Sequence, residues 1–206
     1  MRGTGKPDQR AKGVCFILAL LPLFYLVVLA LLAGLGANPV ERVLHHTGDL
    51  GLNLLILTLC VSPAKRLIGK EWIGPVRRTA GLFAFFYASL HLITYVVLDQ
   101  SFSVRAIAED TVRHRRIIVG FVVYLLLFLL ALTPSASWSK RLGVRKWKNL
   151  HRLVYFAAAG DVVHYLWLVK KDLRLPLVYS VILALLLAYR IVERIAGRHG
   201  KPKRVV

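Results

Sequence analysis

Two histidines, His91 and His164, lie inside apolar stretches long enough to cross a membrane. An ionisable side chain is costly there and is by default a functional candidate. If both stretches are helices entering from the same side, His91 lies about twelve residues and His164 about fourteen residues from that side, or roughly 18 and 21 Å. Imidazole is a common metal ligand, and two level imidazoles suit the two axial positions of one haem.

The elements that hold these histidines are predicted to be membrane helices. The chain has 206 residues, of which 57% are hydrophobic, and a formal net charge of +19. This composition is typical of neither a soluble globular domain nor a disordered chain. The sequence therefore predicts an all-α polytopic membrane bundle with about six transmembrane helices. The apolar runs cover residues 14–36, 44–61, 79–98, 117–133, 150–169 and 175–192.

The distribution of Lys and Arg predicts the orientation of the bundle, because cytoplasmic segments hold more of them. Basic residues gather in the two terminal tails, 1–13 and 193–206, and in the loops at 65–78 and 140–148. With an even number of crossings, these four regions share one side. Both termini are therefore expected in the cytoplasm, and residues 1–206 are expected to form a single transmembrane domain. Topology and anionic lipid headgroups account for the positive charge, so no nucleic-acid partner is expected.

Small residues accompany each of the two histidines on its own helix. Gly81, Ala84 and Ala88 precede His91 at spacings of ten, seven and three, and Ala157 and Gly160 precede His164 at seven and four. Such spacings place these residues on the side of the helix that carries the histidine. They leave room for a porphyrin or for a closely packed helix, and the pattern does not separate these alternatives.

Two further residues are candidates for the same chemistry. His151 precedes His164 by thirteen residues, which is about 20 Å along a helix and about 220° around it, so it has no level partner. The positions where a partner for a second haem is expected hold Arg77 and Arg78. Asp161 is three residues before His164, and its carboxylate can accept the proton of the ligand's other ring nitrogen.

Two other classes of protein fit parts of the sequence. A proton-coupled transporter could use Asp161 and the buried histidines as a relay, although no paired Gly/Pro-interrupted helices are apparent. A membrane metalloenzyme needs a third protein ligand, and no HExxH helix is present. The sequence contains neither a GxGxxG turn nor a Walker motif, so nucleotide chemistry is expected to belong to another chain.

Three stretches carry a resemblance to a known family. They are TGDLGLNLLILTLCVSPAKRL (47–67), VRRTAGLFAFFYASLHLITYVVLD (76–99) and WKNLHRLVYFAAAGDVVHYLWLVK (147–170). Together they resemble the haem-binding membrane subunit of bacterial protein-methionine-sulfoxide reductases, the MsrQ or YedZ family, within the ferric-reductase-like transmembrane superfamily. The resemblance extends over about residues 47–189. It implies that the haem histidines fall on His91, His151 and His164.

The resemblance implies an electron-transfer subunit of the bacterial inner membrane that does not itself touch the substrate. Electrons from the quinone pool, or from a flavin reductase, directly or through FMN, would pass to haem b. From there they would reach MsrP, a periplasmic molybdopterin-containing catalytic subunit that repairs oxidised methionine in proteins. If FMN binds, Arg77 and Arg78 are candidate phosphate partners on grounds of charge.

Overall fold

The computed structural model describes residues 6–32, 34–69, 74–134, 136–169 and 172–199, and most of them are in helices. The predicted all-α class is confirmed. The helices are, in chain order, α1 (Lys6–Leu31), α2 (Pro39–Ile68), α3 (Gly74–Thr94), α4 (Val104–Arg113), α5 (Arg115–Leu132), α6 (Ala136–Leu142), α7 (Val144–Leu150), α8 (Leu153–Leu168) and α9 (Arg174–His199).

Five segments of the described chain are long and apolar enough to cross a membrane. They are Gln9–Leu31, Pro39–Ile68, Pro75–Asp99, Arg115–Leu132 and Arg174–Ala196. Each overlaps one of the apolar runs predicted from the sequence. The third of them continues beyond α3 through a π-helical segment, Tyr95–Asp99, which begins one turn after His91.

Helix α2 is longer than the apolar run 44–61 predicted. Capping residues determine where the helix starts. The Asn38 side chain accepts a hydrogen bond from the Glu41 backbone N–H at 3.2 Å, and Pro39 occupies the first helical position. Both features favour helix initiation. The helix ends at Ile68, and the next residue, Gly69, has a φ of +69°, the left-handed conformation common just after helix C-termini. Capping residues add no hydrophobicity, so the hydropathy pattern missed them.

The predicted run 150–169 is wrong at its beginning. Leu150 ends α7, a turn at His151 and Arg152 follows, and α8 starts only at Leu153. Helix α8 has 16 residues, a length of about 24 Å, which is shorter than the hydrocarbon core of a bilayer. His151 therefore does not share a continuous helix with His164.

Two tight helix pairs, α2 with α3 and α5 with α8, form the centre of the bundle. At their contacts Ala84, Ala157 and Ala158 are fully buried. A Cβ built on Gly160 of α8 would lie 2.7 Å from Val123 Cγ2 of α5, so only glycine permits this approach. Because lipid is as apolar as the side chains, such close packing is what holds membrane helices together.

The helices alternate in direction, and this gives the bundle two ends. The tail end carries the starts of α1, α3 and α8 and the ends of α2, α5 and α9. The far end carries the opposite termini. His91 and His164 both lie nearer the far end of their helices, eight residues before Asp99 and four before Leu168.

Candidate metal centre

His91 points from α3 towards α2. Its Nδ1 lies 2.9 Å from the backbone oxygen of Leu44 in α2, within hydrogen-bond distance. One helical turn after Leu44 comes Gly48, and a Cβ on Gly48 would lie 3.3 Å from His91 Nδ1. The imidazole therefore packs against the surface of α2 at Gly48, which has no side chain.

His164 makes the same arrangement with the other helix pair. Its Nδ1 lies 2.7 Å from the backbone oxygen of Arg116 in α5. Gly120 follows Arg116 by one turn, and its Cβ would lie 3.0 Å from His164 Cε1 and 3.1 Å from Nδ1. In both cases a backbone carbonyl is hydrogen-bonded to the imidazole, and a glycine four residues later allows the ring to approach the helix closely. We call each such combination a carbonyl–glycine clamp: Leu44–Gly48 and Arg116–Gly120.

The clamps determine which ring nitrogen carries the proton. A carbonyl oxygen can only accept a hydrogen bond, so Nδ1 of each histidine must donate it. In a neutral imidazole the proton on Nδ1 leaves a lone pair on Nε2. A metal-binding histidine ordinarily donates its other ring N–H to such a carbonyl, which fixes the tautomer and makes the ligand more basic.

The structure brings the two imidazoles together, although 73 positions in the sequence separate them. Their ring centroids are 6.3 Å apart and their planes are nearly perpendicular, at 88°. In the described part of the chain, no group of three or more His, Cys, Asp or Glu residues is placed to hold a metal ion. This pair is therefore suited to a cofactor that needs two protein ligands rather than to a zinc site with three or four.

His151 is not part of the pair. It lies at the tail end, where its Nε2 is 2.9 Å from the Thr133 backbone oxygen and its ring centroid is 4.3 Å from that of Trp147. The Trp147 indole N–H donates to the same oxygen, also at 2.9 Å. Thr133 follows the last residue of α5, so both rings satisfy a carbonyl that the helix end leaves without a partner.

Asp161 does not have the contact predicted for it. The Nδ1 proton of His164 goes to the Arg116 carbonyl, because Gly120 lets the ring approach α5 closely. Asp161 is half-buried on α8. Any influence of Asp161 on the histidine is therefore electrostatic and passes through no hydrogen bond to the ring.

The small residues noted on α3 and α8 pack helices instead of lining the imidazoles. Gly81 faces Thr58 of α2, and Gly160 faces Val123 of α5. The glycines that contact the imidazoles, Gly48 and Gly120, lie on the partner helices, and sequence analysis missed them. A glycine inside an apolar helix was the only signal available, and its neighbour is unknown until the helices are paired.

Comparisons with known proteins place the chain in a family. Residues 47–160 match the family described as ferric reductase like transmembrane component. A protein of Azospira oryzae named protein-methionine-sulfoxide reductase heme-binding subunit MsrQ is 46% identical over 202 residues, covering 98% of this chain and 87% of its own. The chain belongs to the MsrQ family. The family resemblance seen in the sequence is thereby confirmed.

Further MsrQ relatives support the same membership. The protein of Rhodospirillum rubrum is 43% identical over 94% of this chain and 93% of its own, and that of Herminiimonas arsenicoxydans is 42% identical over 87% and 84%. With this membership and five apolar helices long enough to span a bilayer, the chain is a multi-pass membrane protein. Its relatives are named as heme-binding subunits.

Proposed function

We propose that His91 and His164 are the two axial ligands of one haem b and that the chain is a membrane electron-transfer subunit. The observation that carries the proposal is the 6.3 Å between their ring centroids. A metal–nitrogen bond of about 2.0 Å and about 1.1 Å from that nitrogen to the ring centre place two imidazoles on one iron at about 6.2 Å. The donor set therefore fits the group that the names of the relatives imply.

The clamps prepare both histidines for this role. Each carbonyl holds the Nδ1 proton, so that each Nε2 keeps its lone pair for iron and each ring has a fixed orientation. When bound, haem supplies a centre that accepts and releases one electron at a time. The protein contributes two basic ligands, a dry surrounding and a fixed distance to each membrane surface.

The direction of electron flow follows from the proposed orientation. We place the tail end in the cytoplasm, because the basic segments gather there, and count α8 as the sixth crossing of the bacterial inner membrane. Both termini are then cytoplasmic, and the histidine pair lies in the periplasmic half. Electrons from quinol or a flavin reductase, directly or through FMN, would leave at this half for the periplasmic molybdopterin subunit MsrP. Repair of methionine sulfoxide needs such electrons outside the cytoplasm.

The family resemblance also assigns a ligand role to His151, and the structure offers a different use for it. Its Nε2 is within hydrogen-bond distance of the Thr133 carbonyl, at 2.9 Å. We therefore propose one haem per chain, with His151 tying the end of α5 to the start of α8.

The test is a dithionite-reduced minus oxidised absorption spectrum of the purified chain, with haem counted per protein. A low-spin b-type signal at one haem per chain is the expected result, and it should disappear in His91→Ala and in His164→Ala. A variant that keeps full low-spin haem would refute the ligand assignment. Two haems per chain would restore His151 as a ligand.

The alternative is a proton-coupled transporter, and the feature that favours it is the presence of two acidic side chains, Asp49 in α2 and Asp161 in α8, within the helices of the bundle. Ionisable side chains inside membrane helices are typical of proton relays. This alternative predicts a folded protein without haem, even when haem is supplied in excess during expression. The same spectrum therefore separates the two functions.

A further inference from the structure

Asp110, near the end of α4, joins two helices that both belong to the histidine site. Its Oδ2 accepts a hydrogen bond from the Tyr95 hydroxyl at 3.0 Å, and its Oδ1 lies 2.7 Å from His114 Nδ1. A carboxylate can only accept hydrogen bonds, so both rings donate to it. Such bonds are roughly twice as strong as those between neutral groups. The two oxygens of one carboxylate therefore hold two different parts of the chain.

The first contact fixes the end of the helix that carries His91. Tyr95 follows His91 by one turn and begins the π-helical segment, a rare geometry that is frequent at functional sites. The Tyr95 ring also packs edge-on against that of Phe121, with centroids 6.4 Å apart. Phe121 directly follows the glycine of the Arg116–Gly120 clamp. Tyr95 therefore connects the helix of one ligand to the clamp of the other.

The second contact fixes the start of α5. His114 directly precedes this helix, and within the described segment 74–134 its side chain makes no capping hydrogen bond to the first turn. It is held instead by Asp110, through the ring and through a bond of 2.9 Å from its backbone N–H to the Asp110 carbonyl. The Arg116 carbonyl that binds His164 is two residues farther on. The first turn of a helix has free N–H groups and frays, so its position depends on what holds the residue before it.

We propose that Asp110 is a positioning residue, which sets the spacing of the two axial histidines by tying the end of α3 to the start of α5. The proposal rests on the assignment of His91 and His164 as ligands of one haem. Both nitrogens must stay at bonding distance from one iron, so the two helices cannot shift independently by as much as about 0.5 Å. Asp110 acts through Tyr95 and His114 and not through a contact of its own with the imidazoles.

The test compares Asp110→Ala with Asp110→Asn and with Glu109→Ala. Asparagine keeps the link, because its Oδ1 accepts from the Tyr95 hydroxyl and its Nδ2 donates to the other tautomer of His114. Glu109 is the neighbouring acid on the same helix, and its ion pair is with Arg105 of α4 itself, so its loss leaves the link intact. Each variant is purified with haem, reduced with dithionite and mixed with carbon monoxide.

Carbon monoxide binds ferrous haem only where an axial position is free, so its binding rate measures how often one histidine leaves the iron. In Asp110→Ala this rate should rise about tenfold, the lower limit for losing a group that orients a metal ligand. Asp110→Asn and Glu109→Ala should keep the wild-type rate. A role in stability alone would lower the unfolding temperature of Asp110→Ala without changing the carbon monoxide rate of the folded protein.

An unchanged rate in Asp110→Ala, or an equal rise in Asp110→Asn, would overturn the proposal. Tyr95→Phe and His114→Ala each break one contact and should each raise the rate, and they make the comparison if Asp110→Ala does not fold. Added to Asp110→Ala, Tyr95→Phe should have little further effect, because residues that act through one link are not additive. A wild type without low-spin haem would refute the ligand assignment itself, whereas normal haem with unchanged rates in all three link variants would refute only the positioning role.

Discussion

Replacement of Gly120 by alanine should damage the metal centre without removing a ligand. The new Cβ would lie 3.0 Å from Cε1 and 3.1 Å from Nδ1 of His164, whereas ordinary contacts begin at 3.4 Å. The imidazole must therefore retreat by about 0.3 to 0.4 Å, which lengthens or bends its hydrogen bond to the Arg116 carbonyl. Loss of such a bond behind a metal-binding histidine typically costs 10- to 100-fold in affinity.

Two other glycines in the same bundle provide a graded series. In Gly48→Ala the new Cβ would lie 3.3 Å from His91 Nδ1, so a smaller loss is expected. In Gly81→Ala the nearest atoms, on Thr58, are 3.7 Å away, and this is an ordinary contact. All three glycines are inside helices, so each alanine brings the same gain of about 1 kcal/mol in helix propensity. Differences between the variants therefore report on the contact with the imidazole.

The assay is haem retention after detergent purification, together with a redox titration. We expect haem retention to decrease in the order wild type, Gly81→Ala, Gly48→Ala, Gly120→Ala. In Gly120→Ala the affinity for haem should fall 10- to 100-fold. A less basic ligand favours ferrous iron, so the midpoint potential should rise. A threefold to tenfold change in the preference for the reduced state corresponds to about 30 to 60 mV.

Two results would refute the reasoning. If Gly120→Ala binds haem as tightly as Gly81→Ala and has the same potential, the Arg116–Gly120 clamp does not position the ligand. If all three variants lose haem equally, the cause is helix packing and not the contact with the histidines.

The remaining predictions concern individual side chains. His91→Ala and His164→Ala should each lose the low-spin haem signal, and full haem content in either would contradict the ligand assignment. His151→Ala should keep one haem per chain and lose about 1 kcal/mol of stability with its hydrogen bond, as measured by thermal unfolding; complete haem loss in folded protein would mean that His151 is a ligand. Asp161→Ala should raise the haem potential, because a nearby negative charge stabilises the oxidised state, and an unchanged potential would leave Asp161 without a role at this centre.

Much of the fold could be predicted from the sequence, because hydrophobicity along a helix is a property of the chain itself. Five of the six apolar runs correspond to helices long enough to cross a membrane, and the depth of His91 and His164 followed from counting residues at 1.5 Å each. The break at His151 was not predictable in this way, because hydropathy does not mark the point at which the chain turns between the basic helix α7 and the apolar helix α8.

The sequence by itself determined the membrane class, the two histidines and their common level. Only the tertiary structure decided which groups surround the histidines. The Leu44 and Arg116 carbonyls, with Gly48 and Gly120, lie on helices that are remote in sequence from the ligand each one contacts. The position of a residue along its helix follows from its residue number. The groups that its side chain contacts are determined only when the helices pack against one another. For this reason the hydrogen bond from His164 to Asp161, inferred from spacing within one helix, is not formed, and His164 Nδ1 contacts the Arg116 carbonyl of another helix instead.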